Sequence, residues 1–142
     1  LEREALELED ENILLHHGDM LVFHTNPWQI PSILHEIGRQ RKIAFRAAGE
    51  GSKNALDLDM YDEHYQHIFL WNRAQKEVVG AYRIGRTDVI LRKSGVEGLY
   101  VQTLFRLRPK YLQNFGPALE LGRSFVRPEY QRDNRYRQLQ TV

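Results

Sequence analysis

Leu119-Glu120-Leu121-Gly122-Arg123-Ser124-Phe125-Val126 decides how this chain is read. It alternates apolar and polar residues as a half-buried strand does. Yet it sets a carboxylate and a guanidinium three residues apart among Leu, Phe and Val. A strand has a side-chain period of 2, so Glu120 and Arg123 point to opposite faces unless a bulge at or beside Gly122 re-aims one of them. Charges inside an apolar strand are costly to bury unless paired. A structural ion pair on a sheet edge and the polar floor of a cleft are the two readings this segment leaves open.

Composition narrows the field. A chain of 142 residues is one domain of ordinary size, large enough to bury a core. No run of apolar residues is long enough to span a membrane. The opening Leu1-Glu2-Arg3-Glu4 does not read as a signal peptide. The absence of cysteine excludes disulfides, thiolate metal sites and a cysteine nucleophile. Lys and Arg total 20 against 19 Asp and Glu, so global charge predicts no nucleic-acid partner. The charge is uneven, however. Residues 1–12 hold six acids, whereas 123–137 hold five arginines, a basic stretch suited to phosphate or an acidic partner.

Residues 1–12 read as an acidic helical stretch, with Leu1, Ala5 and Leu8 at helical spacing, and the first 18 residues as an N-terminal arm to a domain over 19–142. Met20–Thr25 is the expected first strand after the Gly18-Asp19 turn. Asn26-Pro27 reads as a cap and first helical position, opening a stripe of Ile30, Ile33, Leu34, Ile37, Ile43, Ala44 and Ala47 that Gly38 divides into two helices. Residues 52–66 read as a loop. Strands over 67–72 and 77–84 make an antiparallel hairpin. A short helix follows over 87–93, capped by Thr87, then a broken helix around Pro109 within 105–115. A last helix starts near Pro128. The order β-α-α-β-β-α-β-α predicts an α+β (mixed α/β) fold: a central, mostly antiparallel sheet flanked by helices.

Several polar residues fall beside these elements. Arg41 and Phe45, four apart, share a helix face. Asp59 and Asp62 flank Tyr61, and Arg83 lies in an apolar strand. Together with Glu120 and Arg123 they compose a polar cleft floor or a set of structural ion pairs. No metal site is expected: His64 and His67 match no ligand spacing, and His16-His17 is adjacent. No G-x-S-x-G elbow marks a serine hydrolase, so Ser124 is read as a hydrogen-bonding group. There is no P-loop or G-x-G-x-x-G.

The order and spacing of Arg41-x-x-x-Phe45, Asp59-x-x-Asp62, Gly80-x-x-Arg83, Phe105 and Glu120-Leu121-Gly122-Arg123-Ser124 resemble the acyl-homoserine-lactone synthase family. Phe45 to Gly51, Asp59-Met60-Tyr61-Asp62, Val79 to Arg83 and Leu119 to Val126 are more similar still to the ornithine-lipid type N-acyltransferases and the hemolysin-like acyltransferase domains, over residues 20–131. All are GNAT-like. The resemblance implies transfer of a fatty acyl group from acyl carrier protein to an amine, often the α-amine of an amino acid, giving a lyso-aminolipid. The implied cofactor is the carrier's acyl-phosphopantetheine as donor, with acyl-CoA the alternative and nothing tightly bound. The resemblance also allows action beside, or fusion to, a second acyltransferase, in the cytoplasm or at the inner face of the membrane.

Within that resemblance, Glu120, Arg123 and Asp62 are the expected catalytic residues, Glu120 taking the amine's proton. Arg41, Phe45, Asp59, Arg83, Phe105 and Ser124 are expected to line the substrate site, the acids holding ammonium and the arginines carboxylate. Val126-Arg127-Pro128-Glu129-Tyr130-Gln131-Arg132 lacks the glycines of a CoA-phosphate loop, which favours a carrier-protein donor met by Val126, Arg127 and Arg132. The polar stretch 134–142 has no further apolar run, so the domain is expected to lack its C-terminal part. Two rival readings stand: a signal synthase that takes its amine from S-adenosylmethionine, and a non-catalytic module on the same scaffold.

Overall fold

A computed structural model describes residues 1–49, 55–108, 110 and 116–131. Five strands form one sheet in chain order, each antiparallel to the next: β1 (Ile13–His17), β2 (Met20–Thr25), β3 (Gln66–Asn72), β4 (Glu77–Arg86) and β5 (Leu119–Val126). Helices α1 (Glu2–Glu7), α2 (Pro31–Ala47), α3 (Thr87–Ser94) and α4 (Pro128–Gln131) flank it. The expected α+β fold with an antiparallel sheet is therefore present. The broken helix expected around Pro109 falls largely outside the described residues.

Strand β1 was not anticipated; its residues were counted with the acidic arm. It pairs with β2 around Gly18, whose φ of 57° suits the tight turn. Its pairing shifts register between Ile13 and Leu15, which erases the alternation that marks a strand in sequence. The acidic helix α1 also packs on the domain. Ala5 joins the main core, and the Glu4 carboxylate accepts the backbone N–H groups of Ser32 and Ile33, each at 2.8 Å. Those are among the first amides of α2, which have no partner inside the helix, and an anion suits that end of the helix dipole.

Asn26 caps a short 3-10 turn rather than the long helix: its N–H donates to Gln29 Oε1 at 2.8 Å, and Pro31 begins α2. The helix then runs unbroken through Gly38. A Cβ there would lie 2.5 Å from Leu58 Cγ, so the glycine serves close approach of the 57–58 segment and not a break. The carbonyl of Gly38 accepts the Asp57 N–H at 3.1 Å, which fastens that segment to the helix. Ile33 and Ile37 face the sheet at a spacing of four, against Phe23, Phe69, Ala81 and Phe125, which oppose one another across β2 to β5. Arg41 is the next residue on that stripe.

The bulge in β5 is present and sits beside Gly122. Ala81 opposes Phe125, but Arg83 opposes Gly122 and Gly85 opposes Glu120, so β5 spends one more residue than β4 over this span. Glu120 and Phe125, five apart, would face opposite ways in a regular strand. Here both lie on the α2 side. The left-handed residue is Arg123, with φ 55°, not the glycine. Such a backbone is uncommon for a non-glycine residue and persists only where surrounding contacts hold it.

These observations separate two glycines. A Cβ on Gly80 would lie 2.6 Å from the Phe125 carbonyl oxygen, whereas one on Gly122 meets nothing within 4 Å. Gly80→Ala is predicted to lower unfolding free energy by about 1–3 kcal/mol in urea denaturation. Gly122→Ala is predicted to change it by under about 0.5 kcal/mol.

Candidate functional site

Where the apolar core ends, the same sheet face and helix turn polar. Arg41 Nη1 and Nη2 donate to the two oxygens of Asp62 at 3.1 and 2.8 Å, and its Nε donates to the Asp57 carbonyl at 2.8 Å, close to the Asp57 carboxylate. Arg83 Nη1 reaches Asp59 at 2.6 Å and Asp62 at 3.2 Å. Arg123 reaches Asp57 at 3.1 Å and Asp59 at 3.4 Å. Each arginine thus bridges two aspartates and each aspartate two arginines, three charges of either sign closing a ring. Arg41 and Arg83 are 1% exposed, where an unpaired guanidinium would be prohibitively costly.

The 57–62 segment that supplies the carboxylates braces itself. Asp59 Oδ1 accepts the Tyr61 N–H at 2.9 Å, and Asp62 Oδ2 accepts the Asp59 N–H at 2.9 Å, reciprocal caps of the 3-10 turn Met60–Glu63. Burial is the largest single influence on Asp62 and raises its pKa. The Arg41 hydrogen bond and charge, the Asp59 amide and the Arg83 charge together outweigh it, and the carboxyl is held below its ordinary value. Burial likewise opposes charge on Arg83, but Asp59 and Asp62 raise its pKa. His67, across from Arg83 on β3, is pushed down chiefly by burial and stays neutral, its Nε2 3.0 Å from the Asp62 carbonyl.

A second layer is aromatic. The Arg83 guanidinium carbon lies 4.7, 5.4 and 5.6 Å from the ring centres of Tyr100, Tyr65 and Tyr61, and that of Arg123 lies 5.4 Å from Tyr100. Tyr65 connects this layer to Glu120. Its hydroxyl donates to Glu120 Oε2 at 2.6 Å and accepts the Tyr100 N–H at 2.8 Å, while Glu120 Oε1 accepts the Val101 N–H at 2.7 Å. Burial, then the Glu120 hydrogen bond, pushes the Tyr65 phenol well above its ordinary pKa, so it remains a donor. Gly85 makes room for this ring: a Cβ there would lie 2.6 Å from Tyr65 Cε2.

Arg41, Asp59, Asp62, Arg83, Glu120 and Arg123 are therefore brought together. Glu120 and Arg123 do not pair with each other; they meet through Tyr100, which packs on both arginines and donates its amide to Tyr65. Phe45 lies beside them, packed on the apolar core. Phe105 is 64% exposed and contributes nothing to the cluster. Ser124 and Val126 line a groove on the opposite sheet face. Arg127 pairs with Glu77 and, at 3.6 Å, with Glu129, beside Tyr130, whose hydroxyl donates to Glu77 at 2.6 Å. Arg132 lies outside the described residues. His64 and His67 are divided: His67 is buried under the ring, whereas His64 is exposed and packs edge-on to Tyr65. Asp57, Tyr65, Tyr100 and His67 are members that the sequence reading missed. The alternation Asp57-Leu58-Asp59 was a signal for the first, since an extended segment puts both carboxylates on one side; Tyr100 gave none. Among the described residues, no group of three or more His, Asp or Glu is arranged to hold a metal, and no helix is long and apolar enough to cross a membrane.

Asp62→Asn strips a buried carboxylate from Arg41 and Arg83 and is predicted to cost about 3–5 kcal/mol. Stability is also predicted to fall with acid in two stages. His67 has a lowered folded pKa, so stability declines as pH drops below about 6.5, where the unfolded chain takes the proton first. Asp62 also has a lowered folded pKa, so its contribution is complete above about pH 4 to 5 and is lost as pH falls toward its folded value. Urea midpoints measured across pH for the wild type and Asp62→Asn check both: the variant keeps the upper stage and shows a smaller lower one, since Glu4 and Glu36 also have lowered pKa values.

Residues 40–140 match the acetyltransferase (GNAT) domain family model. The chain is 40% identical over 116 residues to a protein named glycine N(alpha)-acyltransferase from Bacteroides thetaiotaomicron, an alignment covering 78% of this chain and 34% of the relative. A protein of the same name from Phocaeicola vulgatus is 40% identical over 106 residues, 71% of this chain and 32% of the relative. The chain thus spans about a third of the length of these curated relatives. No solved structure matches it. The family model covers most of the chain, including the C-terminal end of α2, β3 to β5 and every residue of the charge ring: this chain belongs to the GNAT acetyltransferase domain family.

Proposed function

We propose that the protein is an N-acyltransferase that moves a fatty acyl group from the thioester of acyl carrier protein to the α-amine of glycine, giving a lyso-aminolipid. The observation that carries the reading is Glu120, a carboxylate held by Tyr65 and the Val101 amide at the wall of an apolar pocket, beside the charge ring. The relatives' name supplies the acceptor. The lack of glycine between Val126 and Arg132 supports a carrier-protein donor over CoA.

Aminolysis of a thioester needs a neutral amine, an acceptor for the proton shed after attack, and an ordered acceptor substrate. The amine nitrogen attacks the thioester carbonyl carbon and a C–N bond forms. The C–S bond breaks, and sulfur leaves with its electron pair and takes up a proton. Glu120 accepts the proton released by nitrogen. A carboxylate offers roughly four lone-pair sites, and Glu120 has one bond on each oxygen, so capacity remains for the substrate N–H. The substrate carboxylate falls to Arg123, whose side chain is 25% exposed, rather than to Arg83 at 1%. Asp57, Asp59 and Asp62 are bound to the arginines and act as positioning residues, and Arg41 anchors them to α2. Arg127 positions the β5–α4 junction through Glu77.

The test uses the purified full-length chain, acylated carrier protein and glycine, with product read by mass spectrometry. Glu120→Gln keeps the side chain's shape and an acceptor for the Val101 N–H, while its NH2 group faces the Tyr65 hydroxyl, which has the Gly98 carbonyl at 3.3 Å as another acceptor. It is predicted to lower kcat by about 10²–10⁴-fold. Arg123→Lys is predicted to raise KM for glycine more than it lowers kcat. Full activity of Glu120→Gln, or wild-type transfer from acyl-CoA but not from the carrier, contradicts the corresponding part of the proposal.

A further inference from the structure

Behind Glu120 lies a cavity of about 200 Å³, lined by Thr87, Leu91, Leu99, Val101, Leu107, Gly116, Ala118 and Glu120. Its walls come from α3, the turns after it and the approach to β5, a part of the chain that the charge ring does not use. Among the described residues, Glu120 is its one ionisable group. Thr87 is engaged elsewhere: its hydroxyl donates to the Ala118 carbonyl at 3.0 Å and accepts the Ala118 N–H at 2.9 Å, pinning the far wall to α3. The pocket is open at its mouth and its described lining is almost wholly apolar, so a hydrocarbon occupant would remove that surface from water. Leu99, Tyr65 and Ile90 are buried beneath the pocket as a separate apolar cluster, so its floor is packed.

We infer that this pocket receives the part of the donor's hydrocarbon chain nearest the thioester, with Leu91, Leu107 and Val101 setting which chains fit. The inference rests on the acyl-transfer reading. It places the scissile carbonyl at the pocket mouth, where Glu120 faces the attacking amine, and assigns acyl selectivity to Leu91 of α3 with Val101 and Leu107.

Two readouts on the full-length chain separate this inference from the reading beneath it. The first is binding of a fluorescent long-chain fatty acid, with no transfer required. Leu91→Trp fills the cavity and is predicted to weaken binding at least about ten-fold, a loss of about 1.4 kcal/mol. Leu91→Ala enlarges the cavity and is predicted to favour bulkier, branched chains; it serves also if the tryptophan variant fails to fold. The second readout is transfer from short-chain and long-chain acyl carrier proteins. Leu91→Trp is predicted to raise KM for every chain long enough to enter the pocket and to spare acetyl, whose methyl group ends at the pocket mouth. Folded variants that keep wild-type binding and the wild-type chain-length profile overturn the inference. Binding that responds to both substitutions, in a protein that transfers no acyl group, leaves the pocket assigned and overturns the acyltransferase reading instead.

Discussion

Everything distinctive about this domain depends on burying two guanidinium groups and half-burying a third without leaving any of the three unpaired. A lone buried charge costs several kcal/mol even after the protein relaxes, and a broken pair leaves that cost on its partner. The ring of Arg41, Arg83 and Arg123 with Asp57, Asp59 and Asp62 satisfies the constraint by alternating sign around a closed circuit. Its net charge is zero, so the low dielectric strengthens attraction without accumulating repulsion. The ring joins a helix, two strands and a loop.

The backbone is bent to serve that ring. Arg123 adopts a left-handed φ, a strain on the order of 1–3 kcal/mol, and the extra residue it introduces turns Glu120 and Phe125 to one face. One bulge therefore performs two tasks: it closes the circuit and puts a carboxylate at the edge of an apolar pocket. Gly38 performs the matching task on the opposite side, letting the 57–58 segment lie against α2 so that Asp57 meets Arg41 with both its carbonyl and its carboxylate. Gly85 admits the Tyr65 ring that holds Glu120. The site is assembled by close approaches that only glycine allows, at positions distant from one another in the chain.

Much of this was legible beforehand, for physical reasons. Arginine and glutamate inside apolar strands are anomalies that demand partners, so Arg83, Glu120 and Arg123 were visible as a set, and the period of a strand forced the bulge. Arg41 stood out through the helix face it shares with Phe45; that it continues the Ile33–Ile37 stripe is visible only because the helix runs unbroken through Gly38. What was illegible had no local pattern. Tyr100 enters from a segment of 3-10 turns without periodicity, and Tyr65 looks like any loop residue until its hydroxyl is seen on Glu120. Strand β1 was hidden by its own irregular pairing. Gly38 read as a helix break because a glycine's propensity is local, whereas its use here is a contact with Leu58, twenty residues away. Ser124, Phe105 and Val126 were carried by their neighbours' motif; the sheet's two faces, not its sequence order, keep Ser124 and Val126 apart from the ring.

The central claim is that the ring's charges are held in the interior by one another. A double-mutant cycle on Arg41 and Asp62 tests it most directly, with Arg41→Met, Asp62→Asn and the double variant compared by urea denaturation. Each single substitution strands a buried partner; the double one leaves Arg83 with Asp59 and Arg123 with Asp57. The account predicts a double variant more stable than the sum of the single losses implies, with a coupling of about 2 kcal/mol or more. Additive losses would show that the two groups do not depend on each other, and would contradict it.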